Sequence, residues 1–212
     1  MLGRDIDRND KKPERWKQMG LIALGQSKMV RRPVAGVLHI LVYVGFVIIN
    51  IEVLEIIIDG VLGTHRVFAF AGGLYDILIG SFEILAFLVL VSVVIFWIRR
   101  MVLKIPRFWN KEMTSWPKND ALNILYFEMV LMGLFLLMNG ADHALQQMGA
   151  IHYAAAGSFP VSHYLSGVLP QNELMLFYIE RGAWWLHIIG ILIFLNYLYY
   201  SKHLHILLAF PN

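Results

Sequence analysis

Histidine stands out in this chain, because eight histidines occur in a 212-residue sequence that is 58% hydrophobic. Two of them, His187 and His205, lie near the two ends of the apolar stretch 184–205, WWLHIIGILIFLNYLYYSKHLH. If this stretch is one α-helix, both histidines lie on the same face, about 27 Å apart, close to the thickness of a bilayer's hydrocarbon core. Imidazole is a common axial ligand of haem iron. We therefore interpret the pair as two stacked ligand positions for haem iron on one transmembrane helix.

The same residues also allow a simpler interpretation. His203 and His205 would then be polar groups at the membrane interface beside Lys202, and His187 would be a hydrogen-bonded core residue. On a helix His203 points about 160° away from His205, so the two cannot face the same neighbour.

The composition is typical of an integral membrane protein. Charged residues make up only 16% of the chain, and four apolar stretches are long enough to cross a bilayer, at about residues 33–58, 74–98, 119–139 and 182–205. They predict an all-α fold, a four-transmembrane-helix bundle. The sequence contains no cysteine, so this chain alone holds no disulfide and no iron–sulfur cluster. It shows no nucleotide motif and no surface for nucleic acid.

Basic residues predict the orientation of the bundle. Of the 18 Lys and Arg residues, 16 precede the first span, lie in the connection 99–118 or follow the fourth span. By the positive-inside rule both termini are cytoplasmic, and we expect a multi-pass protein of the bacterial inner membrane. In the polar segment 1–32, residues 13–29 form either an amphipathic surface helix or a solvated tail. The connection 141–181 is expected to fold into short helices over the outer membrane face.

His39, near the cytoplasmic end of the first span, is the predicted partner of the histidines that end the fourth span. A haem between two helices needs one imidazole from each helix at matching depth, and bis-histidine ligation suits electron transfer. His39 with His205 is the preferred pair, and His203 competes with His205. Gly45, beside the stripe that contains His39, could leave room for a planar group.

The outer histidine has no obvious partner. His187 is expected near the outer boundary, where the first span offers Ile49 and Asn50 but no histidine. His143, at the outer end of the third span, is the nearest alternative, with His65 behind it. The sequence therefore predicts one haem and leaves a second open.

Carboxylates within the spans are a further signal, because ionisable groups are costly in a bilayer and often mark a proton or ion path. The candidates for a proton path or quinone site are Glu52, Glu83 and Glu128. Quinol oxidation releases protons, so an outer acidic cluster suits a quinol site. For Glu52, Glu55 and Asp59, a structural role as hydrogen-bonded acids at the boundary is an equal alternative.

The C-terminal stretch WWLHIIGILIFLNYLYY, followed by SKHLHILLAFPN, resembles the membrane domain of (Fe–S)-binding oxidoreductases related to heterodisulfide reductase. That membrane domain is similar to the nitrate reductase gamma subunit, which is a cytochrome b. KMVRRPVAGVLHILVYVGFVIINIEVLEIIIDG is similar to their first haem-bearing helix, and the resemblance covers nearly everything after residue 25. It implies b-type haem, exchange with menaquinone or another quinone, and electron transfer to or from cytoplasmic iron–sulfur clusters. It implies haem ligands at His39, His187 and His205.

The sequence departs from this family in two respects. The second histidine of the first helix is absent, and Ile49 and Asn50 stand near its place. Relatives often have one further span and continue into a cysteine-rich domain. We therefore expect residues 33–205 to form a four-helix haem b domain and 206–212 to begin a linker. The iron–sulfur clusters would come from a separate polypeptide or from a part beyond residue 212.

These inferences predict a membrane b-type cytochrome that passes electrons between quinone or quinol and a cytoplasmic Fe–S partner. It would be an electron-transfer subunit or domain of a quinone-linked oxidoreductase. Two other classes fit parts of the sequence. One is a haem-free membrane anchor that docks a soluble partner through the basic connection 99–118. The other is a small proton-coupled transporter.

Overall fold

A computed structural model describes residues 10–25, 27, 32–111 and 115–208, and within these ranges the chain forms helices and turns without any strand. The helices are α1 (Lys12–Met19), α2 (Pro33–Leu62), α3 (Gly73–Met101), α4 (Trp116–Met148), α5 (Ser162–Ser166), α6 (Glu173–Leu198) and α7 (His205–Leu208). A π-helical turn, Gly20–Leu24, extends α1, and short 3-10 segments lie at Val67–Ala71, Pro106–Phe108 and Lys202–Leu204.

Four of these helices, α2, α3, α4 and α6, are long and apolar enough to cross a membrane. The predicted all-α, four-transmembrane-helix bundle is therefore confirmed. We call the end of the bundle where α2 begins and α6 ends the near end, which is the predicted cytoplasmic end. The opposite end is the far end.

The first two spans lie close to their predicted positions, whereas the predicted limits of the third and fourth spans are wrong. The third span continues to Met148, and the fourth begins at Glu173, where the Asn172 side chain caps the helix by accepting from the Met175 N–H at 3.0 Å. The far ends of these helices are polar, and hydropathy alone places them outside the spans. The connection shrinks to residues 149–172 and contains one short helix, α5.

The interpretation of residues 184–205 as one continuous helix is also wrong. Helix α6 ends at Leu198, and the chain turns before the 3-10 segment Lys202–Leu204 and α7. His187 and His205 therefore do not share one helix face.

Packing within the bundle follows the chain order, since α2 packs on α3, α3 on α4, and α4 on α6. The helices approach closely at glycines. A Cβ added to Gly45 would lie 2.4 Å from a Val89 methyl of α3, and one added to Gly60 would lie 2.5 Å from the Trp184 ring of α6. The space at Gly45 is thus filled by Val89, and the idea that this glycine leaves room for a planar group is wrong.

The segment before α2 forms a short polar helix, α1, that carries no buried residue. Its placement on a membrane surface stays a prediction. Residues 1–9, 28–31 and 209–212 lie outside the described ranges, and so does most of the linker predicted at 206–212.

Candidate functional site

Three histidines from separate elements come together at the near end. His39 lies in the second turn of α2, His203 lies in the 3-10 segment, and His205 begins α7. The rings of His203 and His205 are 6.1 Å apart, and His205 lies within electrostatic range of His39. Burial, reinforced by His205 and His39, lowers the pKa of His203 to about 4. The structure thus brings together the three histidines that the sequence placed at this end.

The hydrogen bonds of these rings differ. His205 Nδ1 lies 2.6 Å from the Lys202 carbonyl oxygen, a contact that requires a proton on Nδ1 and leaves Nε2 as the unprotonated nitrogen. His39 Nδ1 is buried and has no hydrogen-bond partner. His203 packs its ring edgewise on Phe194, with centroids 5.8 Å apart. His39 and His205 can therefore each present a nitrogen to a shared ligand.

The turn that carries His203 and His205 is held in place by side chains. The Ser201 hydroxyl donates to the Leu198 carbonyl at 3.1 Å and accepts from the His203 N–H at 3.0 Å. The carboxylate of Asp120, from α4, accepts from the Lys202 N–H at 2.9 Å. Sequence reasoning missed Asp120, although a buried carboxylate one turn into a spanning helix is itself an unusual feature.

His187 lies deep inside the bundle and not near the outer boundary as predicted. It is the fifteenth residue of α6, is 1% exposed, and its Nδ1 donates to the Leu131 carbonyl of α4 at 3.0 Å. This bond leaves Nε2 unprotonated, and Nε2 is buried without a hydrogen-bond partner. The ring of Phe135 lies 5.9 Å away. This environment fits the simpler interpretation of His187 as a hydrogen-bonded core residue, and it leaves Nε2 as the nitrogen that could bind a ligand.

His143 does not come near His187. His187 contacts Leu131 of α4. His143 lies three turns further along this helix, about 18 Å from Leu131. His143 Nε2 instead lies 3.3 Å from His163 Nδ1 at the far surface. His65 is held by Asp142, with 3.0 Å between His65 Nε2 and a carboxylate oxygen. The pairing of His187 with either residue is therefore wrong.

Arg66 organises a buried polar cluster at the far end. Its guanidinium donates to Asp142 at 2.7 and 3.0 Å, to Asn139 at 3.0 Å, and to Glu52 at 3.4 Å. Burial alone would lower the pKa of Arg66, but the Asp142 carboxylate and the other acceptors raise it further above its usual range. Sequence analysis did not assign a role to Arg66. The available signal was that it is one of only two basic residues on this side.

The acidic stripe on α2 takes part in the same cluster. Glu55 accepts from the Phe68 N–H at 2.9 Å and from the Tyr75 hydroxyl at 2.8 Å, so both of its oxygens are used. Asp59 accepts from backbone N–H groups of Arg66 and Val67. These two acids hold the loop between α2 and α3, which is the structural alternative that the sequence left open. Glu52 differs, because its Oε2 is buried and makes no hydrogen bond of normal geometry among the described residues, although the Asn139 side chain lies within range.

Glu83 and Glu128 lie apart from this cluster. Glu83 is fully buried, accepts from the Val161 and Ser162 N–H groups at 3.0 and 3.2 Å, and receives the Ser162 hydroxyl as well. It therefore anchors the start of α5 to α3. Glu128 is 7% exposed, one turn before Leu131 on α4, and no hydrogen bond to its side chain occurs among the described residues. A proton path through either residue stays a prediction.

Among the described residues, no group of three or more His, Asp or Glu side chains is arranged to hold a metal ion. A bis-histidine haem needs only two side-chain ligands from the protein. The residues at the near end fit that requirement, because His39 and His205 lie on different elements within electrostatic range of each other. Among the described residues, the buried His39 Nδ1 has no hydrogen-bond partner.

The four spanning helices make this chain a multi-pass, all-α membrane protein. The sequence is similar to the probable iron-sulfur-binding oxidoreductase FadF of Bacillus subtilis (strain 168), with 26% identity over 211 residues. The similarity covers 100% of this chain but only 28% of that protein's length. It supports a relationship to a family of oxidoreductases. No family model matches the sequence, and no solved structure matches it.

Proposed function

We propose that this chain is a membrane b-type cytochrome that passes electrons between a quinone or quinol and an iron–sulfur partner at the near end, in the bacterial inner membrane. The observation that carries the proposal is the convergence of His39 and His205 from opposite ends of the chain. The name of the similar B. subtilis protein adds support, because it describes an iron–sulfur-binding oxidoreductase. Since these 212 residues contain no cysteine, the clusters would lie on another polypeptide or on a part of the protein outside these residues.

In this proposal His39 and His205 hold one haem b at the near end. When bound, a bis-histidine haem supplies one-electron transfer and keeps no open iron position. The Lys202 carbonyl fixes the tautomer and the orientation of the His205 ring through its 2.6 Å contact with Nδ1. His187, with a buried and unpartnered Nε2, is the candidate ligand of a second haem. Helix α2 contains no histidine other than His39, so this second haem needs another ligand.

The far end is proposed to handle the protons that quinol oxidation releases. Oε2 of Glu52 and Nδ2 of Asn139 are both buried, and the Asn139 side chain lies within hydrogen-bonding range of Glu52. Among the described residues, neither atom makes a hydrogen bond of normal geometry. A carboxylate oxygen accepts a hydrogen bond or a proton from a hydroxyl, and an amide nitrogen donates to its oxygen. The two groups together suit one quinol hydroxyl, and Arg66 keeps the charge of Glu52 balanced at 3.4 Å.

The haem proposal is tested by the visible spectrum and the pyridine haemochrome of the purified protein. We expect a reduced b-type α band, lost in His39→Ala and in His205→Ala but kept in His203→Ala. A wild-type protein without the band would contradict the proposal and favour the haem-free anchor. If His205→Ala keeps the full haem content and His203→Ala loses it, the assignment of His205 is wrong.

The quinol proposal is tested by the rate at which a water-soluble menaquinol analogue reduces the haem in proteoliposomes. We expect Glu52→Gln to slow reduction by roughly 10-fold or more, as loss of a general base typically does. Glu55→Gln is the matched control, because both oxygens of Glu55 bind the protein itself. Equal rates in wild type and Glu52→Gln would refute the far-end site.

A further inference from the structure

The break between α6 and the segment that carries His203 and His205 occurs without a proline or a glycine, the residues that usually end or bend a helix. Residues 198–205 read LYYSKHLH. The local contribution comes from Ser201, whose hydroxyl accepts from the His203 N–H and caps the 3-10 segment. A serine is also tolerated inside a helix, so a contact from elsewhere in the fold can decide whether the chain turns at Leu198.

Asp120 supplies that contact. It is 1% exposed, and its two carboxylate oxygens serve two different donors. Oδ1 accepts from the Tyr197 hydroxyl at 2.7 Å, in the last turn of α6, and Oδ2 accepts from the Lys202 N–H at 2.9 Å, at the start of the 3-10 segment. One carboxylate on α4 thus holds the chain on both sides of the break.

The bond to Lys202 is available only when the helix is broken. In a continuous helix the Lys202 N–H would donate to the carbonyl four residues earlier, which is that of Leu198. In the structure Leu198 instead accepts from Ser201, and Lys202 donates to Asp120. A hydrogen bond to a buried carboxylate is stronger than one to a neutral carbonyl, so Asp120 favours the broken path.

We propose that Asp120 is a positioning residue for the near-end histidines. By holding the turn at residues 199–201, it directs His205 towards His39 and so permits the two imidazoles to share one iron. This inference rests on the proposed haem at His39 and His205. Asp120 acts through the backbone of Lys202 and needs no contact with the haem.

The first test replaces Asp120 and follows the spin state of the haem. In Asp120→Asn the amide oxygen can accept from only one of the two donors, and in Asp120→Ala neither is served. We expect a shift from low-spin, six-coordinate haem towards high-spin, five-coordinate haem. The low-spin fraction should fall at least threefold in Asp120→Ala and less in Asp120→Asn. A general loss of stability would lower the haem content without changing the spin state of the haem that stays bound.

The control is Glu180→Gln at the other end of the bundle. Glu180 is 3% exposed and accepts from the Tyr153 hydroxyl at 2.9 Å, so it matches the Asp120–Tyr197 pair in burial and in its tyrosine donor, and it also pairs with Arg181. We expect its low-spin spectrum to equal that of wild type. The inference would be overturned if Asp120→Ala kept the low-spin spectrum and the midpoint potential of wild type. It would also be overturned if the low-spin fraction fell as much in Glu180→Gln as in Asp120→Ala.

A second test needs no haem. Because the chain has no cysteine, His39→Cys with His205→Cys introduces the only two thiols, which a short bifunctional thiol reagent can link. We expect efficient cross-linking in this protein and at least a fivefold lower yield after Asp120→Ala is added. An unchanged yield would overturn the role of Asp120. If the wild-type protein contains no haem while the cross-link still depends on Asp120, the proposed function is refuted. The positioning role of Asp120 would still hold.

Discussion

Replacing Arg66 should destabilise the protein more than replacing any surface cation. Arg66→Met keeps a long side chain but removes the guanidinium that binds Asp142, Asn139 and Glu52. Asp142 and Glu52 would then be buried carboxylates without a cation. Removing one partner of a buried ion pair costs about 3–5 kcal/mol, because the remaining charge is left uncompensated.

The expected loss is measurable by thermal unfolding in detergent, followed by tryptophan fluorescence. For a chain of this length, 1 kcal/mol shifts Tm by about 2–4 °C, so Arg66→Met should lower Tm by roughly 6–20 °C. Lys17→Met is the control, since Lys17 is an exposed cation of α1. We expect that control to lose about 1 kcal/mol or less.

A double variant tests the physical cause. Asp142→Asn combined with Arg66→Met removes one of the uncompensated charges, so the double variant should be more stable than Arg66→Met alone. The reasoning is refuted if Arg66→Met loses no more stability than Lys17→Met. It is also refuted if Asp142→Asn adds its full cost to that of Arg66→Met, because two members of one ion pair should not behave independently.

Three further changes test the packing and the connections. Gly45→Ala should lower Tm, because its Cβ would lie 2.4 Å from Val89 and overpacking costs about 1–3 kcal/mol. Adding Val89→Ala should restore Tm. An unchanged Tm in the single variant would contradict the close approach. Glu83→Gln should speed proteolysis within 149–172 severalfold, because the anchor of α5 is weakened; an unchanged cleavage rate would argue against that anchor. Asn172→Ala should cost about 1 kcal/mol in thermal unfolding, the usual value of a helix N-cap; a cap without effect would show that packing alone fixes the start of α6.

The near and far ends divide the chemistry of the molecule. The near end gathers the three imidazoles of His39, His203 and His205 beside the carboxylate of Asp120. The far end gathers carboxylates around one buried guanidinium, which suits hydrogen bonding and proton transfer. His187 lies between them at mid-depth, with one nitrogen bound to Leu131 and the other free of partners.

The sequence by itself determined the number of membrane spans and the position of the first two. Hydropathy is a sum over neighbouring residues, so a long apolar run predicts a spanning helix without knowledge of what it packs against. It also placed His39 and His205 at one end of the bundle, because span direction alternates along the chain. Their approach in the structure agrees with that placement.

Hydropathy failed where polar residues continue a helix. The far parts of α4 and α6 carry Asp142 and Glu180, which a local average counts as loop, yet each is buried and bonded within the protein. Arg66, the partner of Asp142, lies 76 residues away. No local window contains both halves of such a pair, so the predicted limits of these helices were wrong.

Only the tertiary structure decided the path of the chain after Leu198. The local sequence allows a continuous helix, and the choice is made by Asp120, which is 82 residues from Lys202. The depth of His187 was likewise fixed by α4, which receives its Nδ1–H. A sequence shows which residues can make a bond, but burial and distance, which decide whether the bond forms, arise only when separate helices pack.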